Sequence, residues 1–308
     1  MKLLTFMSKN FFFFLIIFFL LTSCLSNDKK VNVDFNGPSP AATEISFHQD
    51  EAIHVGIASI ISPKESFDYY NELLAYISQK IGMSVHYIQK ESYQEINDLL
   101  AQNIVDFAFV GTGGYVDAKK KKIARLLVAP VSNGKNTFKA YIVVNKYSHL
   151  KSFRDLQGKN FAFTDPFSHT GFNFIISKIK KLGLNENKYF SKTIFTYSHD
   201  LSCELVSRGV MDAASVSSLV FDYLKQKSPA RIKNLKIIEE SYEFPSPPIV
   251  VSAGIDEKKY KLYKNIFLNF HKDPAGKAIL NKLNIDCYVN IQDSDYNDVR
   301  ELSKMVIK

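Results

Sequence analysis

The sequence predicts an α/β protein made of two units with similar element order, and three observations carry that prediction. Short β-branched or aromatic runs alternate with segments whose apolar residues recur at helical spacing, which gives a largely parallel sheet with helices on both faces. The alternation runs once from "AIHVGIASI" to "IARLLVAPV" and begins again at "KAYIVVNK". Four strand ends carry loops rich in Gly, Ser, Thr or His, and each loop directly precedes a helix.

In the first unit "AIHVGIASI" is a strand that ends in the polar loop Ser62-Pro63-Lys64, and "YYNELLAYISQKIG" is a helix closed by Gly82. "SVHYIQ", "VDFAFVG" and "IARLLVAPV" read as strands, with "SYQEINDLLAQN" and "GYVDAKKKK" as the helices between them. The second unit has strands at "KAYIVVNK", "NFAFTDP", "TIFTYS", "MDAASVS" and "LKIIEES". Its helices are "SFRDLQGK", "GFNFIISKIKKLG" closed by Gly183, "HDLSCELVSRG" closed by Gly209, and "SLVFDYLKQK". After "FPSPPIVVSAG" the chain reads as mostly helical.

The N-terminal residues do not read as fold. Lys2 and Lys9 are the charges before Asn10, and Phe11 to Leu21 is an unbroken apolar run. Eleven apolar residues are short of the ~20 that span a bilayer, and the pattern is that of an export signal. Leu21-Thr22-Ser23-Cys24 resembles the lipobox of bacterial lipoproteins, in which the cysteine is lipidated and becomes the new N-terminus. The expected division is a leader over 1–23 and a flexible polar tether over 24–49, containing "NGPSPAA". The net charge of +8 is modest for 308 residues. It fits solubility near an anionic membrane, and nothing in the sequence resembles a nucleic-acid motif. Besides Cys24 there are Cys203 and Cys287, which are too few for a disulfide framework and are expected as unpaired buried thiols, with a single bridge as the other arrangement.

The four loops are "VGTGGY", "FTDPFSHTG", "TYSHD" and "ASVSS". Ligands of open α/β sheets bind beyond the carboxyl ends of the strands. A helix N-terminus leaves N–H groups unpaired and carries partial positive charge, so it receives anions. Ser168 and Thr170 are candidate hydroxyl donors to an oxyanion, and Thr112 and Gly113 are their counterparts in the first unit. Ser198 reads as an N-cap with His199 in the first turn, and Ser217 and Ser218 precede the next helix. Any one such loop is more simply explained as a helix cap; their recurrence at four strand ends points to a shared ligand. No loop tip carries Lys or Arg, so neutral donors and helix ends would hold the anion.

Here the sequence resembles a known family, the solute-binding proteins of ABC importers in the phosphate/phosphonate group. The resemblance lies in "SYQEINDLL", "VDFAFVGTGGYVDA", "DLQGKNFAFTDPFSHTGF", "SHDLSCELVSRGVMDAASVSS", "SPPIVV" and "DPAGKAILNKLNI", in order and spacing. It implies a periplasmic-binding-protein type II clamshell whose two hinged α/β lobes close on a small anionic ligand and deliver it to an ABC permease in the cytoplasmic membrane. The lobes would be 50–138 with 247–308, and 139–246. A monomer without cofactor is expected, extracytoplasmic and held to the membrane by lipid on Cys24. Carried over by position, the ligand loop is Ser168, His169 and Thr170, with His199 and Tyr93 in the cleft. His169 departs from the family's Ser-Thr-Ser, Val110 stands where some members have an aromatic residue, and Ser217 stands for a frequent Asp. The acidic residues that face an amino group in aminophosphonate binders are not evident, and Leu219 and Pro247 lie near their places.

Other readings stay open at this stage. His199 and Cys203 are four apart on one helix, and with His169 they would make a soft metal site, but Cys203 shares a stripe with core-like Leu205 and Val206. If the histidines were protonated, binding would strengthen at lower pH. Of Tyr69, Tyr70, Tyr93 and Tyr115, the last two are expected to line the cleft, with Tyr69 and Tyr70 covering the first helix. The Lys119–Lys122 run suits a helix C-terminus. Asp165 is expected to cap or brace its loop. No Gly-x-Ser-x-Gly or His-Glu-x-x-His is present and no nucleophile–base set is evident, so an enzyme is not expected. A ligand sensor feeding a signalling partner is the alternative to transport.

Overall fold

A computed structural model describes residues 52–306; the leader, Cys24 and the tether lie outside them. The chain runs through β1 (Ile53–Ala58), α1 (Pro63–Ile81), β2 (Val85–Lys90), α2 (Tyr93–Ala101), β3 (Phe107–Phe109), α3 (Thr112–Lys120), β4 (Ala124–Val131), β5 (Thr137–Phe138) and β6 (Ala140–Asn145). It continues with β7 (Asn160–Phe163), a π-turn (His169–Asn173) leading into α4 (Phe174–Lys181), α5 (Glu186–Tyr189), β8 (Lys192–Phe195), α6 (His199–Ser207), β9 (Ala213–Ser217), α7 (Ser218–Lys227), α8 (Pro229–Ile232) and β10 (Leu235–Glu240). Then follow β11 (Phe244–Pro245), β12 (Ile249–Ser252), α9 (Glu257–Asn269), α10 (Pro274–Lys282), β13 (Cys287–Val289) and α11 (Asn297–Val306).

Two sheets organise these elements, one ordered β13-β4-β12-β3-β1-β2 and the other β10-β6-β9-β7-β8, with β5 and β11 paired as a short ribbon of their own. The sheets are mixed, and the antiparallel strands β6 and β12 have a common origin. β12 opposes β3 and β4, and β6 opposes β9 and β10. Each is the first sheet strand after the chain passes from one sheet to the other. Ala140 at the start of β6 faces Ser217 at the end of β9, and Ile249 at the start of β12 faces Phe109 at the end of β3. The chain therefore enters each sheet at the carboxyl end of its parallel strands and must run back against them. The stretch after β11 is less helical than expected, because β12 and β13 return to the first sheet; a three-residue strand between helices leaves little periodic signal.

Local chemistry sets the helix limits. Pro63 occupies the first turn of α1, and Gly82 ends it at φ 73°. Ser92 and Glu95 form a capping box on α2. In the first sheet one face buries Leu73, Ile77, Phe107, Tyr263 and Phe267 beneath α1, α9 and α10. The other face buries Ile96, Leu100, Tyr115 and Val299 beneath α2, α3 and α11. The second sheet packs Phe161, Phe163, Ile175 and Ile179 on the α4 side and Cys203, Val206, Phe221 and Leu224 on the side of α6 and α7. Both faces of both sheets are covered, so polar groups at the strand ends are the natural place for a ligand.

Candidate functional site

The carboxyl ends of β3, β7, β8 and β9 meet at one compact cavity of about 20 Å³. Of the expected site residues, Ser168, His169, Thr170, His199, Tyr93, Thr112 and Ser217 all line it, together with Ile60, Gly111, Phe138 and Pro247. Gly113 is not among its walls. The segments beginning at Thr112, His169, His199 and Ser218 each start a helix here. Four helix starts thus border one small space, with the leading amides of two of them, His199 and Ser218, already bound to the Ile60 and Lys139 carbonyls, and no Lys or Arg of the described residues lines it.

The loop "DPFSHTG" is shaped by two constraints. The Ser168 hydroxyl accepts from the Gly171 amide at 3.0 Å, so it is a cap. A Cβ on Gly171 would lie 1.8 Å from Thr164 Oγ1, so the chain can pass there only as glycine. The helix opens as a π-turn, in which the Asn173 amide reaches back to the Ser168 carbonyl at 3.0 Å; such turns recur at functional sites. Thr170 is fixed through its carbonyl, which accepts from Ser215 Oγ at 2.6 Å. The Thr112 hydroxyl donates to the Pro245 carbonyl at 3.3 Å, tying the start of α3 to β11. Tyr93 is 3% exposed, and burial holds its phenol above the ordinary range, with Asp165 adding to the effect and a hydrogen bond to Ser168 opposing it.

Both histidines are neutral. Burial lowers His169 from 6.5 to about 3. Burial also lowers His199, to about 4, against the opposing charge of Asp200. The Ser217 amide donates to His199 Nδ1 at 3.0 Å. Nδ1 is therefore the acceptor and Nε2 carries the proton, a tautomer set by a backbone contact. His169 stands edge-on to Phe244 with ring centroids 4.3 Å apart, and neither of its ring nitrogens has a hydrogen-bond partner among the described residues. A buried imidazole with both nitrogens unsatisfied is costly and calls for a partner in the cavity it lines. Chemically the site offers neutral hydroxyls, imidazoles and oriented amides, which is a donor set for a desolvated oxyanion.

The site is flanked by contacts between the segments of the two sheets. Asp165 Oδ2 accepts from the Tyr93 amide at 3.0 Å and Oδ1 from the Phe167 amide at 2.7 Å, so the expected brace reaches across to α2. A Cβ on Gly113 would stand 2.0 Å from the Phe167 carbonyl; this glycine makes room for the loop. The His199 amide donates to the Ile60 carbonyl at 3.0 Å. Asp200, fully buried, accepts from the Ser62 amide at 2.8 Å and the Ser62 hydroxyl at 2.7 Å, and pairs with Arg231 at 3.0 Å. Arg231 also reaches Glu65 on α1 at 2.8 Å. Sequence reasoning missed this cluster. Its one local sign, an acid in the first turn of α6, reads simply as dipole compensation.

Other expectations are corrected. Tyr115 does not line the cleft: it is fully buried against Tyr296, 4.7 Å between centroids, with its hydroxyl on Asp293. It lies on the core face of α3, which the helical phase of a nine-residue, Gly-rich segment did not reveal. Tyr69 and Tyr70 line a second cavity instead of covering α1. His169, His199 and Cys203 do not form a metal site; among the described residues no His, Cys, Asp or Glu group is placed to hold a metal ion. Cys203 packs with Val206 and Leu224 in the core, its thiol pushed up by burial. Cys203 and Cys287 are both free, the former buried and the latter half-buried.

Comparison with known proteins places these features in a family. The family model described as "ABC transporter, phosphonate, periplasmic substrate-binding protein" matches residues 55–296. The phosphonates-binding periplasmic protein of Escherichia coli K12 is 27% identical over 254 residues, covering 80% of this chain and 73% of that protein. The probable ABC transporter phosphite binding protein PhnD1 of Prochlorococcus marinus MIT 9301 is 24% identical over 245 residues, 75% of this chain and 82% of the relative. Among solved structures, a binding protein component of an ABC phosphonate transporter from Pseudomonas aeruginosa superposes with a TM-score of 0.78 at 21% identity, covering 82% of this chain and 85% of that one. PhnD1 in complex with methylphosphonate gives 0.76 at 22% identity, covering 84% and 99%. The fold is the periplasmic-binding-protein type II clamshell that the resemblance implied. The chain belongs to the family of periplasmic substrate-binding proteins of phosphonate ABC transporters.

Proposed function

We propose that this chain is the lipid-anchored, extracytoplasmic component of an ABC importer, that it captures a small phosphorus oxyanion in the cavity between its sheets, and that it hands the ligand to a membrane permease. The observation that carries the reading is the convergence of four helix N-termini on one compact cavity that no Lys or Arg of the described residues lines, and whose buried His169 has no hydrogen-bond partner among the described residues. The relatives supply the ligand class: one is named for phosphonates, another for phosphite, and that second protein is known bound to methylphosphonate. Two lobes, 50–138 with 247–308 and 139–246, would hinge at the β5–β11 ribbon, where Phe138 pairs with Phe244. Lipid on Cys24 and the tether would keep the clamshell near its permease, and closure would report occupancy.

The test is thermal unfolding of the exported protein with phosphite, phosphate, methylphosphonate, 2-aminoethylphosphonate or sulfate, followed with an extrinsic dye because the chain has no Trp. A ligand at a hundred times its Kd adds about 2.7 kcal/mol of stability. Thr170→Val should abolish that shift while leaving the ligand-free melting temperature within a few degrees. A shift that survives unchanged in Thr170→Val, or no shift with any phosphorus oxyanion, would overturn the assignment.

A further inference from the structure

Beside the small cavity lies a second of about 130 Å³, close to the ~150 Å³ apolar space that takes up benzene in a protein core. The two share Ile60, Ser217 and Pro247 as wall residues, so they are adjoining compartments of one cleft. The larger one is walled by Tyr70, Phe109, Leu219, Ile249, Ile285 and Tyr288, which come from the segments of both sheets. No lysine, arginine or histidine lines it. Its one carboxylate is Asp222, which is itself exposed to solvent.

A bare oxyanion would occupy the small compartment alone and leave this apolar surface wet. We infer that the ligand is an organic oxyanion whose head sits among Ser168, Thr170 and His199 and whose uncharged, apolar substituent, a short alkyl chain or one aromatic ring, fills the larger compartment. This inference rests on the oxyanion reading of the small cavity. A second anionic group on the tail would meet no cation there and would face Asp222. An ammonium group would leave water for walls that are mostly aromatic and aliphatic, with the neutral side chains of Ser132, Asn133 and Asn284 and the single charged partner Asp222. Alkyl and aryl substituents gain from the same walls, about fourfold in affinity per buried methylene.

Calorimetric titration of the exported protein with methyl-, pentyl-, phenyl- and 2-aminoethylphosphonate tests the inference. Pentyl- and phenylphosphonate should bind ten- to a hundredfold tighter than methylphosphonate, and 2-aminoethylphosphonate no tighter than methylphosphonate. Leu219→Trp places an indole into the larger compartment from the first turn of α7, outside the small cavity. It should erase the gain from the tail and keep methylphosphonate affinity, which also shows that the variant is folded. Equal or weaker binding of the pentyl and phenyl compounds, with methylphosphonate still bound, would overturn the inference and leave the oxyanion site standing. A preference that survives Leu219→Trp would also overturn it, because the tail would then lie elsewhere. Absence of binding to all four compounds would sink the oxyanion site itself, and the inference with it.

Discussion

The main-chain amide of Tyr93 donates a 3.0 Å hydrogen bond to the carboxylate of Asp165. The first residue of α2 is thereby tied to the loop after β7, and both flank the small cavity. Asp165 is 1% exposed and has no cation beside it; burial raises its pKa, and the amides of Tyr93 and Phe167 oppose that rise. Its role is to satisfy two amides that would otherwise be buried without acceptors. Asp165→Ala should therefore lower the unfolding free energy by about 2–4 kcal/mol in urea titrations, since each orphaned group costs ~1–3 kcal/mol. Asp165→Asn, which keeps one acceptor, should lose about half as much. A loss below ~0.5 kcal/mol in the alanine variant would mean that the brace does not matter.

Gly113 and Phe167 set a second condition on closure. The 2.0 Å separation between an added Cβ and the Phe167 carbonyl is far below any real contact, and the obstacle is backbone. Gly113→Ala must push α3 away from the ligand loop, so phosphonate affinity should fall at least tenfold by calorimetry. Gly114→Ala is the matched control, because its Cβ would meet Tyr93 at an ordinary 3.4 Å. Equal affinity in the two variants would show that the close approach is not needed for binding.

Much of the site was legible in the sequence because it is made of local signals. A loop of small and hydroxyl residues before a helix announces a helix N-terminus wherever the helix packs, and Ser168, Thr112, His199 and Ser217 were found that way. The α/β alternation came from periodicity in the same manner. Spatial relations were not legible. Gly113 reads as a backbone donor to an anion, and the sequence gives no sign that it also makes room for the Phe167 carbonyl. Tyr115 was placed in the cleft because it is near Thr112 in sequence, whereas a helix turns its residues through every direction. The antiparallel entry of β6 and β12 depends on where the chain crosses between sheets, which no local pattern encodes. The partnership of Ser62, Asp200 and Arg231 rests on a direct contact between Ser62 and Asp200, which are 138 positions apart.

Arg231 holds that partnership together. It meets Asp200 at 3.0 Å, Glu204 at 3.2 Å and Glu65 at 2.8 Å, and thus fastens α6 to α1. Hydrogen bonds from Ser198, Ser62 and Arg231 hold Asp200 below the usual carboxylate range against the desolvation that would raise it. Removing one partner of a buried pair leaves charge without compensation and costs ~3–5 kcal/mol. Arg231 is about one-quarter exposed, so Arg231→Gln should cost about 3 kcal/mol or a little less. Because the contact spans the cleft, the same variant should release ligand several-fold faster in stopped-flow displacement. A stability loss with an unchanged release rate would make the cluster a fold element alone.

The two histidines set the pH response. Their folded-state values, about 3 for His169 and about 4 for His199, lie below the 6.5 of an exposed imidazole because both are buried. Above pH 6.5 neither state binds the proton and the full stability is present. Below it the unfolded chain takes up protons that the native protein refuses, so stability falls as pH drops. The fall continues until the native histidines titrate near pH 4 and 3. Each histidine contributes a slope of at most about 1.4 kcal/mol per pH unit in that window. Carboxylates begin to titrate at its lower end, so the informative quantity is the difference between the wild type and His169→Gln. Urea midpoints at pH 7.5, 6.5, 5.5 and 4.5 should show the variant losing less stability on acidification. An identical slope would mean that native His169 titrates as it does in the unfolded chain, and a steeper one in the variant that its native pKa is raised, so that it is protonated in mild acid. The anion would then be held by an imidazolium, and phosphonate affinity would rise on acidification instead of resting on neutral donors.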